Sequence, residues 1–137
     1  MAYIYALISA NFVALTSILV KIGISDINSN LATAIRTTMV LVFSCIMVFV
    51  VGGQHDIGDI SKKTLIFLIL SGLVTGISWL AYYKALQMAD VSKVVPIDKL
   101  SVVFTMILAF LILGEAASKK AIIGTILIGI GTLVIVL

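Results

Sequence analysis

Charge is what this sequence lacks most. Of its 137 residues only 11% are acidic or basic, against 62% apolar, which leaves too little polar surface to coat a water-soluble globule. A single cysteine excludes an internal disulfide, and Cys45, set in an apolar run, reads as a buried inert thiol. The single histidine, His55, lies beside Asp56 and Asp59 in a polar break, where a solvated loop is the reading rather than a metal site. There is no basic stripe. The net charge of +3 is scattered between apolar runs, a pattern that suits lipid headgroups and excludes a nucleic-acid groove. The chain also lacks a nucleophile-base-orienter set and a Gly-x-x-x-x-Gly-Lys phosphate loop, so neither an enzyme nor ATP hydrolysis is expected, and no cofactor is called for. The start, MAYIYALIS, has no basic n-region and no small-residue cleavage site after it, so the first apolar run is expected to remain as a span.

What the sequence has is long apolar runs. About 20 helical residues cross the hydrocarbon of a bilayer, and five runs come close to that length: Tyr3 to Ile24, Leu31 to Val51, Thr64 to Met88, Val94 to Leu113 and Ala121 to Leu137. The breaks SDINSN, GGQHDIGDISKK, ADVSK and GEAASKK are rich in turn and capping residues, and their shortness implies antiparallel neighbours. Barrel strands are about half as long and alternate polar with apolar. The expected fold is therefore all-α: a polytopic membrane helix bundle of five transmembrane helices in one domain spanning residues 1–137. An odd number of spans puts the termini on opposite sides, so a tandem copy would be inserted upside down, the arrangement that alternating access commonly uses. Sorting the basic residues by side gives Lys62, Lys63, Lys119 and Lys120 against Lys21, Arg36, Lys84, Lys93 and Lys99. Four against five leaves a fixed and a dual orientation both open, and leaving out the residues inside helices favours a cytoplasmic amino terminus.

Ionisable groups at membrane depth need a reason, because each costs about 2.5–3.5 kcal/mol at a helix centre. Arg36, Lys84, Asp98 and Lys99 fall a turn or so inside helix ends on one side, a layer about 6–8 Å deep. Asp98 is expected to pair with Arg36 or Lys84. Lys84 and Lys99 are open to a second reading, snorkelling to the headgroups. In helix three Gly72, Thr75, Gly76, Trp79, Tyr82, Tyr83 and Gln87 share a face, with Lys84 on the other. That face is either a cavity wall, whose rings offer cation–π attraction to a substrate ammonium, or a helix contact through Gly72-x-x-x-Gly76 with interfacial aromatics. The first alternative expects Trp79→Ala to weaken binding and spare the fold, the second the converse. Thr33, Arg36, Thr37 and Ser44 share a face of helix two and Asp98, Ser101 and Thr105 one of helix four; either could border water. Asn11 reads as an interhelical hydrogen-bonding residue, and Pro96 as a structural residue near the first turn of helix four. Ala121, Gly124, Thr125, Gly131 and Thr132 form a small-residue face on helix five, suited to close contact with a second chain or within the bundle.

The stretches AIRTTMVLVF, YYKALQMADVSKVVPIDKLSVVF and LGEAASKKAIIGTILIGIGTLVIVL, including the pair Gly114 and Glu115, resemble the EamA family of the drug/metabolite transporter superfamily over essentially the whole chain. Common members of that family carry two five-helix units in tandem with inverted topology, and the chain corresponds to one. The resemblance implies a secondary transporter, an exporter or exchanger of small metabolites or drug-like solutes, located in the cell membrane. It also implies an antiparallel homodimer, or pairing with a related oppositely oriented half-transporter. The last helix dimerises the small multidrug relatives, in agreement with the small-residue face. Those relatives carry a glutamate midway along helix one, whereas Ser9 to Thr16 contains no acidic residue, which argues against proton-coupled cation export by that route. The residues expected to contact substrate are Trp79, Tyr82, Tyr83, Thr75, Arg36, Asp98 and Lys84. The alternative from another class is a membrane structural or accessory subunit that transports nothing itself.

Overall fold

A computed structural model describes all 137 residues, and it is helical with no strand. Five helical stretches are long and apolar enough to cross a membrane. They are α1 (Ala2–Gly23), α2 (Ser29–Val51), α3 (Lys62–Met88), the pair α4 (Val91–Asp98) and α5 (Ser101–Leu108) with the π turn Ala109–Leu113, and α6 (Lys119–Val136). Several helices begin two or three residues before the apolar runs do, because the polar breaks supply their caps. The Asn28 side chain accepts from the Asn30 N–H at 2.8 Å, Ser61 from Thr64 at 3.1 Å and Ser118 from Ala121 at 3.2 Å, each satisfying a donor that a helix start leaves open. Two glycines close helices with positive φ, Gly52 at 80° and Gly114 at 67°, a conformation that a Cβ makes costly. The segment Gly53–Asp59, expected to be an open loop, is wound into 3-10 turns.

The chain divides into two compact units, Leu19–Gln87 and a second one made of Met1–Ile18 with Met88–Leu137. In the first, the α1–α2 turn is tied down by the end of α3. Gln87 Nε2 donates to the carbonyls of Ile24 at 3.0 Å and Ile27 at 2.6 Å, and Lys21 Nζ donates to the Leu86 carbonyl. Ile24, Tyr83 and Leu86 are fully buried around this clamp.

In the second unit Pro96 acts differently from expectation. It sits in the second turn of α4, and the helix stops two residues later. The Leu100 N–H, which would bond the Pro96 carbonyl in a regular α-helix, turns instead to Ile97 at 3.0 Å. The freed Pro96 carbonyl then lies 3.2 Å from the Thr132 hydroxyl of α6, which shares its one proton with the Ile128 carbonyl at 2.9 Å. Thr132→Val should therefore destabilise the protein by about 1 kcal/mol, by leaving a part-buried carbonyl short of its donor. Thr125 spends its hydroxyl on Met106 Sδ at 3.2 Å, a weak acceptor, so Thr125→Val should cost less. Thermal unfolding in detergent compares the two, and equal losses would contradict this account.

Lone hydroxyls elsewhere follow the rule that a membrane leaves no water to satisfy them. Thr16, Thr33, Thr37, Thr38 and Thr75 all donate to carbonyls four residues back. Asn11 does the same, donating to Leu7 within α1, where an interhelical bond was expected. Cys45, expected to be buried, is exposed on α2, and its neighbours Ile46 and Met47 are exposed as well. An apolar flank of this kind has to meet lipid or another chain.

Candidate functional site

Helix α2 carries Arg36 seven residues past Ser29, about 10 Å along the axis. Its guanidinium carbon lies 3.7 Å above the centre of the Trp79 ring on α3 and 6.0 Å from that of Tyr83. Trp79 meets both tyrosines edge to face, at 5.7 Å and 88° for Tyr82 and 5.7 Å and 81° for Tyr83. The helical spacing of residues 79, 82 and 83 makes this possible, since neighbours three and four apart share a face. The antiparallel run of α2 and α3 then brings Arg36 to the same level, fixed from below by Gln87 on Ile27.

This cluster changes what the aromatic face is for. A substrate ammonium on the Trp79 ring was one of the two alternatives left open for this face; the protein's own guanidinium is there. A desolvated cation–π contact contributes about 2 kcal/mol, which offsets much of the roughly 2.5–3.5 kcal/mol that an arginine costs at a helix centre. It leaves the N–H groups untouched. Within its own unit Arg36 makes no hydrogen bond or ion pair, and the buried hydroxyl of Tyr83, whose ring centre lies 6.0 Å from the guanidinium carbon, has no hydrogen-bond partner. A buried hydroxyl left unsatisfied in this way costs about 1–3 kcal/mol and is rare without a reason.

The other expected site residues are placed as follows. Thr75, one turn before Trp79, is exposed and bonded to the Ser71 carbonyl. Lys84 is exposed on the flank of α3 away from the rings. Asp98 belongs to the other unit, where its carboxylate takes Lys99 Nζ at 3.2 Å. Arg36 or Lys84 was the expected partner; adjacency in the chain let Lys99 reach it first. Gly72 and Gly76 have open space where a Cβ would stand, so they support no close helix contact within the chain. Gln87, grouped by spacing with the aromatic face, is spent on the α1–α2 turn. The role of Lys21 went unread as well. Its position in the last turn of α1 was the available signal, since carbonyls at a helix end need donors.

In the second unit a groove of about 450 Å³ opens beside the π turn, with Ser101, Thr105, Phe110, Glu115 and Ser118 among its walls. The hydroxyl-bearing side of α5 thus borders open space, as one of the two expected polar faces. Glu115, noted only as half of a glycine-glutamate pair, is one of the residues that line it.

Comparison with known proteins gives a consistent result. The sequence profile of the EamA-like transporter family matches residues 1–137. A Sinorhizobium sp. protein described as an uncharacterized transporter in the cobO 3' region is 42% identical over 131 residues, covering 96% of this chain and 93% of that one. No solved structure matches.

Proposed function

The chain belongs to the EamA-like transporter family, and we propose that it is a secondary transporter of small metabolites or drug-like solutes, working by alternating access as an antiparallel dimer of five-helix units. Arg36, Trp79, Tyr82 and Tyr83 form the substrate-contacting wall in this reading, and the family resemblance adds an exporting or exchanging role in the cell membrane. The observation that carries it is the Arg36–Trp79 stack within the membrane span. A charge with uncommitted donors at that depth is retained for a solute path more readily than for stability. The inverted partner supplies the two-way pseudosymmetry that a single five-helix unit cannot provide alone. With no nucleotide-binding motif in the sequence, a solute or ion gradient drives the cycle.

Tracer counterflow in proteoliposomes across a panel of metabolites tests this. Flux should saturate for at least one solute and fall tenfold or more with Arg36→Ala, while Lys62→Ala and Lys119→Ala, altered where the side chains are exposed, should stay near wild type. Folded protein that carries no solute across the whole panel would favour the accessory-subunit alternative.

A further inference from the structure

We infer that the site around Arg36 selects the oxyanion of a small organic acid and rejects ammonium compounds. This deepens the transport reading and rests on it for the site's use, though not for its chemistry. Three observations converge. The Trp79 face meets the guanidinium at 3.7 Å, so the ring that could attract a foreign cation is already covered by a resident one. Within the unit the guanidinium spends none of its N–H groups on hydrogen bonds, and a planar fork of donors matches a carboxylate in bidentate fashion. Beside it Tyr83, 1% exposed, holds a hydroxyl with no partner, a second donor for which the protein supplies no acceptor.

Sequence strengthens the case from the opposite side. Neither α2 nor α3 contains an aspartate or glutamate. The acidic residues of this unit, Asp26, Asp56 and Asp59, lie outside both helices. An ammonium entering between α2 and α3 would find no counter-charge there and would face Arg36, which is discrimination by repulsion. An oxyanion meets the reverse on both counts.

Trp79 is the only tryptophan in the chain, so its emission reports directly on Arg36. The probes are three molecules of one shape: isovalerate, isoamylamine and 3-methylbutanol, titrated into the full-length protein in maltoside detergent. Isovalerate should change the emission saturably, and the amine and alcohol should not. Arg36→Lys, which keeps the charge and loses the fork, should weaken isovalerate binding about tenfold; Arg36→Gln should abolish it. Equal responses to all three probes, or undiminished isovalerate binding by Arg36→Gln, would overturn the inference without any need for flux data. A lipid phosphate is the competing oxyanion. Phosphatidylglycerol that shifts the emission where isovalerate does not would assign Arg36 to a headgroup and overturn it also. Transport of amines in proteoliposomes with no isovalerate binding would refute the selectivity and leave transport standing. Isovalerate binding with no flux of any probe would uphold the oxyanion site and count against the transport reading.

Discussion

Trp79→Ala should lower unfolding stability by about 3–5 kcal/mol, the range for removing a large packed aromatic side chain, and should abolish substrate flux at the same time. The ring is half-buried and makes two edge-to-face contacts, each contributing about 0.5–1.5 kcal/mol. It also carries the Arg36 charge. In the proposed transport reading the residue that shapes the wall also holds the cation in place, so one substitution is expected to affect both packing and flux. Trp79→Phe, which keeps a ring face, should lose less than half as much. A double-mutant cycle isolates the stack. With Arg36→Gln as the second change, the coupling should be about 2 kcal/mol, read from unfolding in detergent. Trp79→Ala costing the same in the Arg36→Gln background would show that ring and guanidinium act independently.

The membrane spans were legible in sequence because length and apolarity are properties of a run, independent of what it packs against. Their ends were less so. Asn28, Ser61 and Ser118 extend the helices into polar breaks by capping them, an effect visible only when side-chain oxygens are placed against N–H groups. The aromatic trio was legible too, since residues 79, 82 and 83 lie on one helix and periodicity alone groups them. What periodicity cannot give is the partner across a gap. Asp98 was expected to pair with Arg36 or Lys84 on charge and depth, while the geometry gives the Arg36 cation to a ring and gives Asp98 its chain neighbour. Charge complementarity ranks possible partners, but register between helices decides which are reached. Pro96 shows the same limit in backbone form, since its consequence is a freed carbonyl whose acceptor role depends on Thr132, 36 residues away.

Register also divides the small-residue face of α6, and this sharpens the test of the dimer. Thr125 and Thr132 are buried against α5 and α4, and a Cβ on Gly129 would stand 4.0 Å from Val103. These positions are spent inside their own unit. Gly124 and Gly131 are different: a Cβ added at either meets nothing within 4 Å. Seven residues apart, they lie on one side of the helix two turns from each other, leaving a shallow track where a second backbone can approach closely. Gly124→Leu and Gly131→Leu should thus leave helicity and unfolding of the isolated chain unharmed, since leucine is a far better helix former than glycine and its Cβ meets nothing within 4 Å. Any loss then reports the partner. In the antiparallel dimer we propose, the pair of substitutions should shift the protein to monomer in detergent and abolish flux, and a dimer that persists at the same concentration would exclude this flank of α6 as the contact. Orientation calls for a label. A cysteine at the exposed Ala116 leaves the Ser118 cap of α6 intact, and Cys45→Ala removes the exposed native thiol. Antiparallel copies should make Ala116→Cys reactive to an impermeant maleimide from both sides of the membrane. Labelling confined to one side, in protein that is dimeric and transports, would replace the inverted homodimer with a partner of different sequence.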